Sequence, residues 1–186
     1  MRIGIDFDGV MNDMLKTWCE DLSKMSKIKA TSDDITEWDL TKTFTDLCQW
    51  DISSIIKTTD FWMRVEAQPG AVEYIKKLID DGHDVVVVTA AWPPESLSVK
   101  FNICMQKYFP FINWRNVIST GRKDLIDVDI LIDDYLENLK ESHSAIKILF
   151  RKKYNDYAAY RLDLISADDW ADIYDIIRVI AEENEE

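Results

Sequence analysis

The run Val85-Val86-Val87-Val88, set between Asp84 and Thr89, limits what this chain can become more than any other stretch. Side chains of a strand alternate between its two faces, so consecutive valines make both faces apolar. A strand with one wet face alternates. A strand apolar on both faces belongs in the middle of a parallel sheet that helices cover on each side. Arg2 to Phe7, Val128 to Ile132 and Ile146 to Phe150 read as strands of the same sheet, with shorter strands expected at Asn116 to Ser119 and Leu162 to Ile165. Between them the apolar period becomes helical. Val72, Ile75, Leu78 and Ile79 stripe a helix that Pro69 opens and Gly82 ends. Glu95 to Tyr108 reads as another helix, and a helix or turn runs through Leu139. A last helix, to about Ala181, is expected to be capped by Ser166 with Asp169 three residues on. This alternation predicts an α/β fold, a doubly wound, Rossmann-like parallel sheet.

Residues 11–68 break the alternation. Met14, Leu15, Trp18, Cys19 and Leu22 fall at helical spacings, and apolar residues from Ile35 to Trp62 follow in short helical pieces. The expected organisation is a sheet domain from residues 1–10 and 69–186, with a small helical cap, 11–68, inserted after the first strand.

A length of 186 residues, 47% of them hydrophobic, suits one globular domain with an insertion. Asp and Glu outnumber Lys and Arg by 35 to 22, giving a formal charge of −13. That argues against sequence-independent binding to duplex nucleic acid or to an anionic membrane. It leaves room for a small anionic substrate, because a metal ion and a lysine or two reverse the field locally. The acidic end from Ala181 reads as a solvated tail. Cys19, Cys48 and Cys104 are widely spaced, and with only His83 and His143 to join them they make a poor zinc set. Reduced cysteines, no signal peptide before the first strand and no apolar run near ~20 residues together predict a cytoplasmic protein. A homodimer is left open.

The chemistry begins where the first strand ends. Asp6 and Asp8 leave it on the same side, and Gly9 lets the chain turn away behind them. Ligands of open α/β sheets bind at this carboxyl edge. Two carboxylates so close need a cation or a shared proton. One can attack phosphorus while the other protonates the leaving group. Other strand ends carry matching groups. Thr89, with the backbone N–H groups that follow it, can hold phosphate oxygens. Asp133-Asp134 adds a third carboxylate for a Mg²⁺ site with Asp6. Lys123, in the loop before that strand, can neutralise phosphoryl oxygens. Each has an ordinary reading as well: a polar turn, a helix cap, a surface lysine.

Taken in order, Asp6-x-Asp8-Gly9-Val10, Thr89, Lys123 and Asp133-Asp134 resemble the four motifs of the haloacid-dehalogenase-like phosphatase superfamily. Phe61-Trp62 ahead of Gln68-Pro69-Gly70-Ala71-Val72-Glu73, Lys123 ten residues before Asp133, and Ala167-Asp168-Asp169-Trp170 resemble the 5′(3′)-deoxyribonucleotidase family of cytosolic and mitochondrial type. The resemblance spans nearly the whole chain and is weakest from Lys24 to Asp60. It implies Asp6 as nucleophile and Asp8 as acid and base, with Asp8 also giving Mg²⁺ its backbone carbonyl. It implies Asp134 or Asp133, with Asp134 favoured, as the third metal ligand, and Thr89 and Lys123 on the phosphate. Met14 stands where the family places an aromatic against the base, and Trp38 matches a tryptophan that contacts the nucleoside. With Phe61 and Trp62 they would form the mouth of the cap. The implied substrate is a deoxyribonucleoside monophosphate.

The family's second motif usually continues Thr-Ser-Pro with a lysine soon after, whereas here it reads Thr89-Ala90-Ala91-Trp92-Pro93. A hydroxyl and a cation are missing. The N–H of Ala90 can still serve, and Arg122 or Lys100 is a candidate for the charge. The rival readings are a phosphatase of another small phosphomonoester, such as a sugar phosphate, a phospho-accepting regulatory domain, and an inactive nucleotide binder. A regulatory domain accepts its phosphoryl group on a middle strand without an acid two residues on, which disfavours it here.

Overall fold

A computed structural model describes residues 1–159 and 164–183. Six parallel strands form the sheet: β1 (Arg2–Asp6), β2 (Asp84–Thr89), β3 (Val117–Ser119), β4 (Ile130–Asp133), β5 (Ile146–Phe150) and β6 (Ile165–Ala167). Their order is β3-β2-β1-β4-β5-β6. β1 therefore lies between β2 and β4, where the winding reverses, and the carboxyl ends of these three strands share an edge. The valine run is buried as its pattern requires.

The alternation within a strand sends neighbours to different cores. Ile130 and Ile132 pack with Ile3, Ile5, Val85 and Val87 on one face, together with Ile75 of α4 (Ala71–Asp80). Leu131 and Leu149 face the other way, onto Leu136 and Leu139. Trp170 is fully buried and its indole N–H donates to the Val10 carbonyl at 2.9 Å, which ties the last helix to the loop after β1. Burying a large apolar side chain contributes on the order of 2–3 kcal/mol.

The segment after β1 holds α1 (Met14–Met25), α2 (Gln49–Ile55) and α3 (Thr59–Arg64), with single 3₁₀ turns at Ser32–Asp34 and Leu40–Lys42. Its buried residues Leu22, Ile35, Phe44 and Ile52 continue the sheet's first core without a break. Thr58 caps α3: its hydroxyl accepts the N–H of Phe61 at 3.3 Å.

Several element ends differ from the expectation. The helix from Glu95 to Tyr108 is α5 (Ser96–Lys100), a π-helical stretch over Phe101–Met105, and α6 (Gln106–Tyr108). α7 is Leu136–Glu141. Gly70, in the left-handed region at φ 81°, precedes α4, so Pro69 lies one residue before the cap and does not open the helix. α8 (Trp170–Glu183) is capped by Asp169, which accepts the N–H groups of Ala171 and Asp172, while Asp172 accepts from Asp168. Ser166 is inside β6 and donates to the Ala159 carbonyl, so it is not the cap. The expected strand from Leu162 overlaps β6 only at Ile165; its residues 162 and 163, and the last residues of the acidic tail, 184–186, lie outside the described residues. No described helix is long and apolar enough to cross a membrane.

Candidate active site

The carboxyl ends of β1, β2 and β4 bring Asp6, Asp8, Thr89, Asp133 and Asp134 to one place, and two lysines reach them from elsewhere. Asp6 closes β1 and is buried. Its Oδ1 lies 2.7 Å from Nζ of Lys123, which is also buried and 2.5 Å from Asp133 Oδ2. Burial holds the Asp6 carboxyl well above the usual carboxylate range; Lys123 pulls it down, and Asp133, Asp134 and Asp8 push it further up. Burial also works against the Lys123 charge, but Asp133 and Asp6 outweigh it and raise that group's pKa. Both ends of the pair thus move upward. The attraction dominates at the lysine, which has two carboxylates, and desolvation dominates at Asp6, which has one lysine and several acids around it.

Asp133 and Asp134 are adjacent but differently engaged. Asp133 Oδ1 accepts the Tyr135 N–H at 2.8 Å, and its Oδ2 accepts from Lys123 and, at 3.0 Å, from the Asn138 amide. Asp134 Oδ2 accepts from the Tyr154 hydroxyl, while its Oδ1 is buried with no hydrogen-bond partner among the described residues. Burial and then the neighbouring Asp133 push the Asp134 carboxyl up to about 7.

These are the conditions a hard divalent cation suits. Asp6, Asp133 and Asp134 each offer an oxygen, and these atoms lie within 4.8 Å of one another. Together with Asp8 they make four carboxylates facing the two ammonium groups of Lys123 and Lys100, an excess of two formal negative charges. Among the described residues Asp134 Oδ1 has no donor, in a place where an unmet polar atom is costly.

Asp8 is held from two sides. Lys100 Nζ lies 2.6 Å from its Oδ2, and the Asn12 amide donates to its Oδ1 at 3.3 Å. Gly9 follows at φ 82°, and a Cβ there would clash with Asp134 Oδ2. Glycine is needed twice over, for the backbone angle and for the approach of Asp134. Gly9→Ala is expected to lose about 1–3 kcal/mol from the strained angle alone, with further loss from the displaced carboxylate. Urea melts check the stability, and unchanged melts would show that neither the backbone angle nor the approach of Asp134 requires glycine there.

Thr89 ends β2, is buried, and accepts from Lys100 at 2.8 Å; the neighbouring Ala90 carbonyl accepts from the same ammonium. Of the two candidates for the missing cation, Lys100 is in the site and Arg122 is not, because its guanidinium is exposed and paired with Asp124.

A cleft of about 280 Å³ opens beside the acids. Asp8, Gly9, Asp134 and Tyr154 line it, and Met14, Trp18, Ile35, Leu40 and Ile52 make much of the rest apolar. Trp38, 53% exposed, lines it and rests on Tyr135 and Tyr154 at ring distances of 4.7 and 5.3 Å. Met14 and Trp38 both line the cleft. Phe61 and Trp62 do not form the mouth: both are buried and neither lines the cleft. They pack edge to face at 5.1 Å, and the Trp62 indole donates to the Ile56 carbonyl at 2.7 Å, so the pair is core. Sequence reasoning missed Tyr154 and Trp18. Tyr154 follows β5 in a strand-end loop, a position that could have marked it; Trp18 was visible only as part of a helical stripe.

Residues 1–184 match the family model described as 5′ nucleotidase, deoxy (pyrimidine), cytosolic type C protein. The chain is 33% identical over 155 residues to a 5′(3′)-deoxyribonucleotidase of Bacillus subtilis (strain 168), covering 82% of this chain and 86% of that one. It is 31% identical over 153 residues to a 5′(3′)-deoxyribonucleotidase of Clostridium acetobutylicum, covering 82% and 83%. Among solved structures, a haloacid-dehalogenase family hydrolase from Deinococcus radiodurans with bound phosphate and sodium superposes with a TM-score of 0.61 at 13% identity, covering 92% of each chain. A D,D-heptose 1,7-bisphosphate phosphatase from B. bronchiseptica, complexed with magnesium and phosphate, gives 0.57 at 15% identity, covering 98% of this chain and 99% of that one. At such identities the likeness is one of fold.

Proposed function

Since the chain belongs to the 5′ nucleotidase, deoxy (pyrimidine), cytosolic type C family, we propose that it is a Mg²⁺-dependent phosphomonoesterase that releases phosphate from deoxyribonucleoside monophosphates. The observation that carries the reading is the largely apolar cleft that Asp8 and Asp134 also line. A phosphate seated at the acids leaves its organic half in that cleft, where a base and deoxyribose fit better than a bare sugar with several hydroxyls to satisfy. Residues 11–68 act as the cap over it.

Asp6 attacks phosphorus in line and the ester bond to the sugar oxygen breaks. Asp8 gives that oxygen its proton. Asp8 then takes a proton from water, whose oxygen attacks phosphorus and frees Asp6 and inorganic phosphate. Lys123, against Asp6, favours the ionised carboxylate that attack requires. Thr89 Oγ1 and the Ala90 N–H hold phosphoryl oxygens, with Lys123 sharing their charge. Asp6, the Asp8 carbonyl and Asp134 would hold Mg²⁺; Asp133 is taken up by Lys123, Tyr135 and Asn138. When bound, the ion supplies positive charge against the phosphoryl oxygens and the carboxylates.

The cleft also sets specificity. Apolar side chains against the sugar leave a ribose 2′-hydroxyl without a partner, yet such walls reject an added hydroxyl by only about a hundredfold at most. The expected result is Mg²⁺-supported phosphate release from dUMP and dTMP, weaker release from UMP, little from a hexose phosphate, and none in excess chelator. A competition assay over these substrates decides it. Equal rates for dUMP and UMP would remove the deoxy preference, a faster hexose phosphate would redirect the substrate class, and full activity in chelator would remove the metal.

A further inference from the structure

Lys100 is buried at the site but comes from none of the strand-end loops that build it. It ends α5, where the helix widens into the π-helical stretch over Phe101–Met105, a distortion often found at functional sites. A lysine ammonium has three N–H donors and no acceptor. All three are used here: on Asp8 Oδ2 at 2.6 Å, on Thr89 Oγ1 at 2.8 Å and on the Ala90 carbonyl at 2.8 Å. The rings of Trp62 and Phe7 lie 5.8 and 5.9 Å from Nζ. The side chain is therefore held by its stem and by its head.

This arrangement does more than pin a helix to a sheet. Thr89 Oγ1 accepts from Lys100, so the hydroxyl's own hydrogen must point away from the ammonium, and among the described residues its other hydrogen bond is a long 3.4 Å approach to the Ala90 carbonyl. Asp8 has a short contact on one oxygen, to Lys100, and a long one on the other, to Asn12. The orientation of the Asp8 carboxyl is thus set chiefly by Lys100. The loop Thr89-Ala90-Ala91 has no lysine of its own, and Lys100 enters it from eleven residues along the chain.

We propose that Lys100 is a positioning residue for the reaction: it holds the Asp8 carboxyl in the attitude for proton transfer and turns the Thr89 hydroxyl hydrogen toward the phosphoryl oxygens. The inference rests on the phosphatase reading above. A residue that acts through the acid matters most where the leaving group needs a proton. A nucleoside alkoxide needs one badly, and an aryl oxide hardly needs one.

The test is Lys100→Met, similar in length and uncharged, assayed with dUMP and with para-nitrophenyl phosphate in the wild-type and Asp8→Asn backgrounds. On dUMP, kcat should fall about a hundredfold, with a loss roughly ten times smaller on the aryl phosphate. In the Asp8→Asn background, adding Lys100→Met should cost dUMP turnover only about tenfold, the loss seen on the aryl phosphate, because the Asp8 carboxylate is already gone and only the hold on Thr89 remains to lose. Equal fractional losses on the two substrates, or a full additional loss in the double variant, would overturn the proposal. If Lys100→Met does not fold, Lys100→Gln, which keeps a donor for Thr89, carries the same comparison. A wild-type protein inert toward both substrates would remove the phosphatase reading itself, whereas equal losses in an active protein remove only the role of Lys100.

Discussion

Asp6→Asn is expected to abolish turnover and to leave the protein as stable as before, or more so. The amide has the shape of the carboxylate but cannot form the acyl-phosphate bond, and loss of a nucleophile costs at least about ten-thousandfold in kcat. Stability should not follow activity. Burial is the largest influence on Asp6 and disfavours its charge, and three neighbouring carboxylates add to that. Lys123 offsets the cost only in part. Replacing the acid with a neutral group removes the penalty and keeps Lys123 paired with Asp133. Phosphate release and a thermal melt on the same preparation check both halves. Near-normal turnover would exclude attack by Asp6, and a large drop in melting temperature would mean that the charge at Asp6 supports the fold.

Lys123→Met should show the opposite pattern in stability and a similar one in rate. The ammonium lies 2.7 Å from Asp6 and 2.5 Å from Asp133, and all three side chains are buried. Removing it leaves two buried carboxylates without their cation. Breaking a buried ion pair by deleting one partner costs about 3–5 kcal/mol. The rate should fall by about a hundredfold or more, as for other single groups that stabilise transition-state charge. Denaturant midpoints and kcat read the two effects separately. A variant of normal stability would show that Asp6 and Asp133 relax or protonate without cost, and one of normal rate would take Lys123 out of the reaction.

The parts of this molecule that were legible in the sequence share a physical cause. Central parallel strands are buried on both faces, so Val85-Val86-Val87-Val88, Arg2 to Phe7 and Ile146 to Phe150 announce themselves without knowledge of their neighbours. Polar residues at the ends of such strands then fall on one sheet edge, which is why Asp6, Asp8, Thr89 and Asp133-Asp134 could be gathered before any coordinates. What stayed hidden depends on contacts distant in sequence. Tyr154 meets Asp134 across 20 residues, and Lys100 meets Asp8 across 92. In sequence, Lys100 is a lysine inside the expected helix from Glu95 to Tyr108, one of two candidates for the missing charge with nothing to choose it over Arg122. Phe61 and Trp62 carry an aromatic signal that fits a cleft wall and a packed core equally well, and the Ile56 carbonyl that receives the Trp62 N–H decides for the core. The cap of α8 was misplaced because Ser166 and Asp169 have capping-box spacing while Ser166 is committed to β6.

The most direct measurement is the protein caught during turnover. Acid-quenching it with dUMP and Mg²⁺, followed by peptide mass spectrometry, should find one phosphoryl group on the peptide that contains Asp6. The linkage should be labile to hydroxylamine, as an acyl phosphate is, and the adduct should be absent from Asp6→Asn. Steady release of phosphate with no adduct on that peptide, or an adduct that persists in Asp6→Asn, would contradict the account.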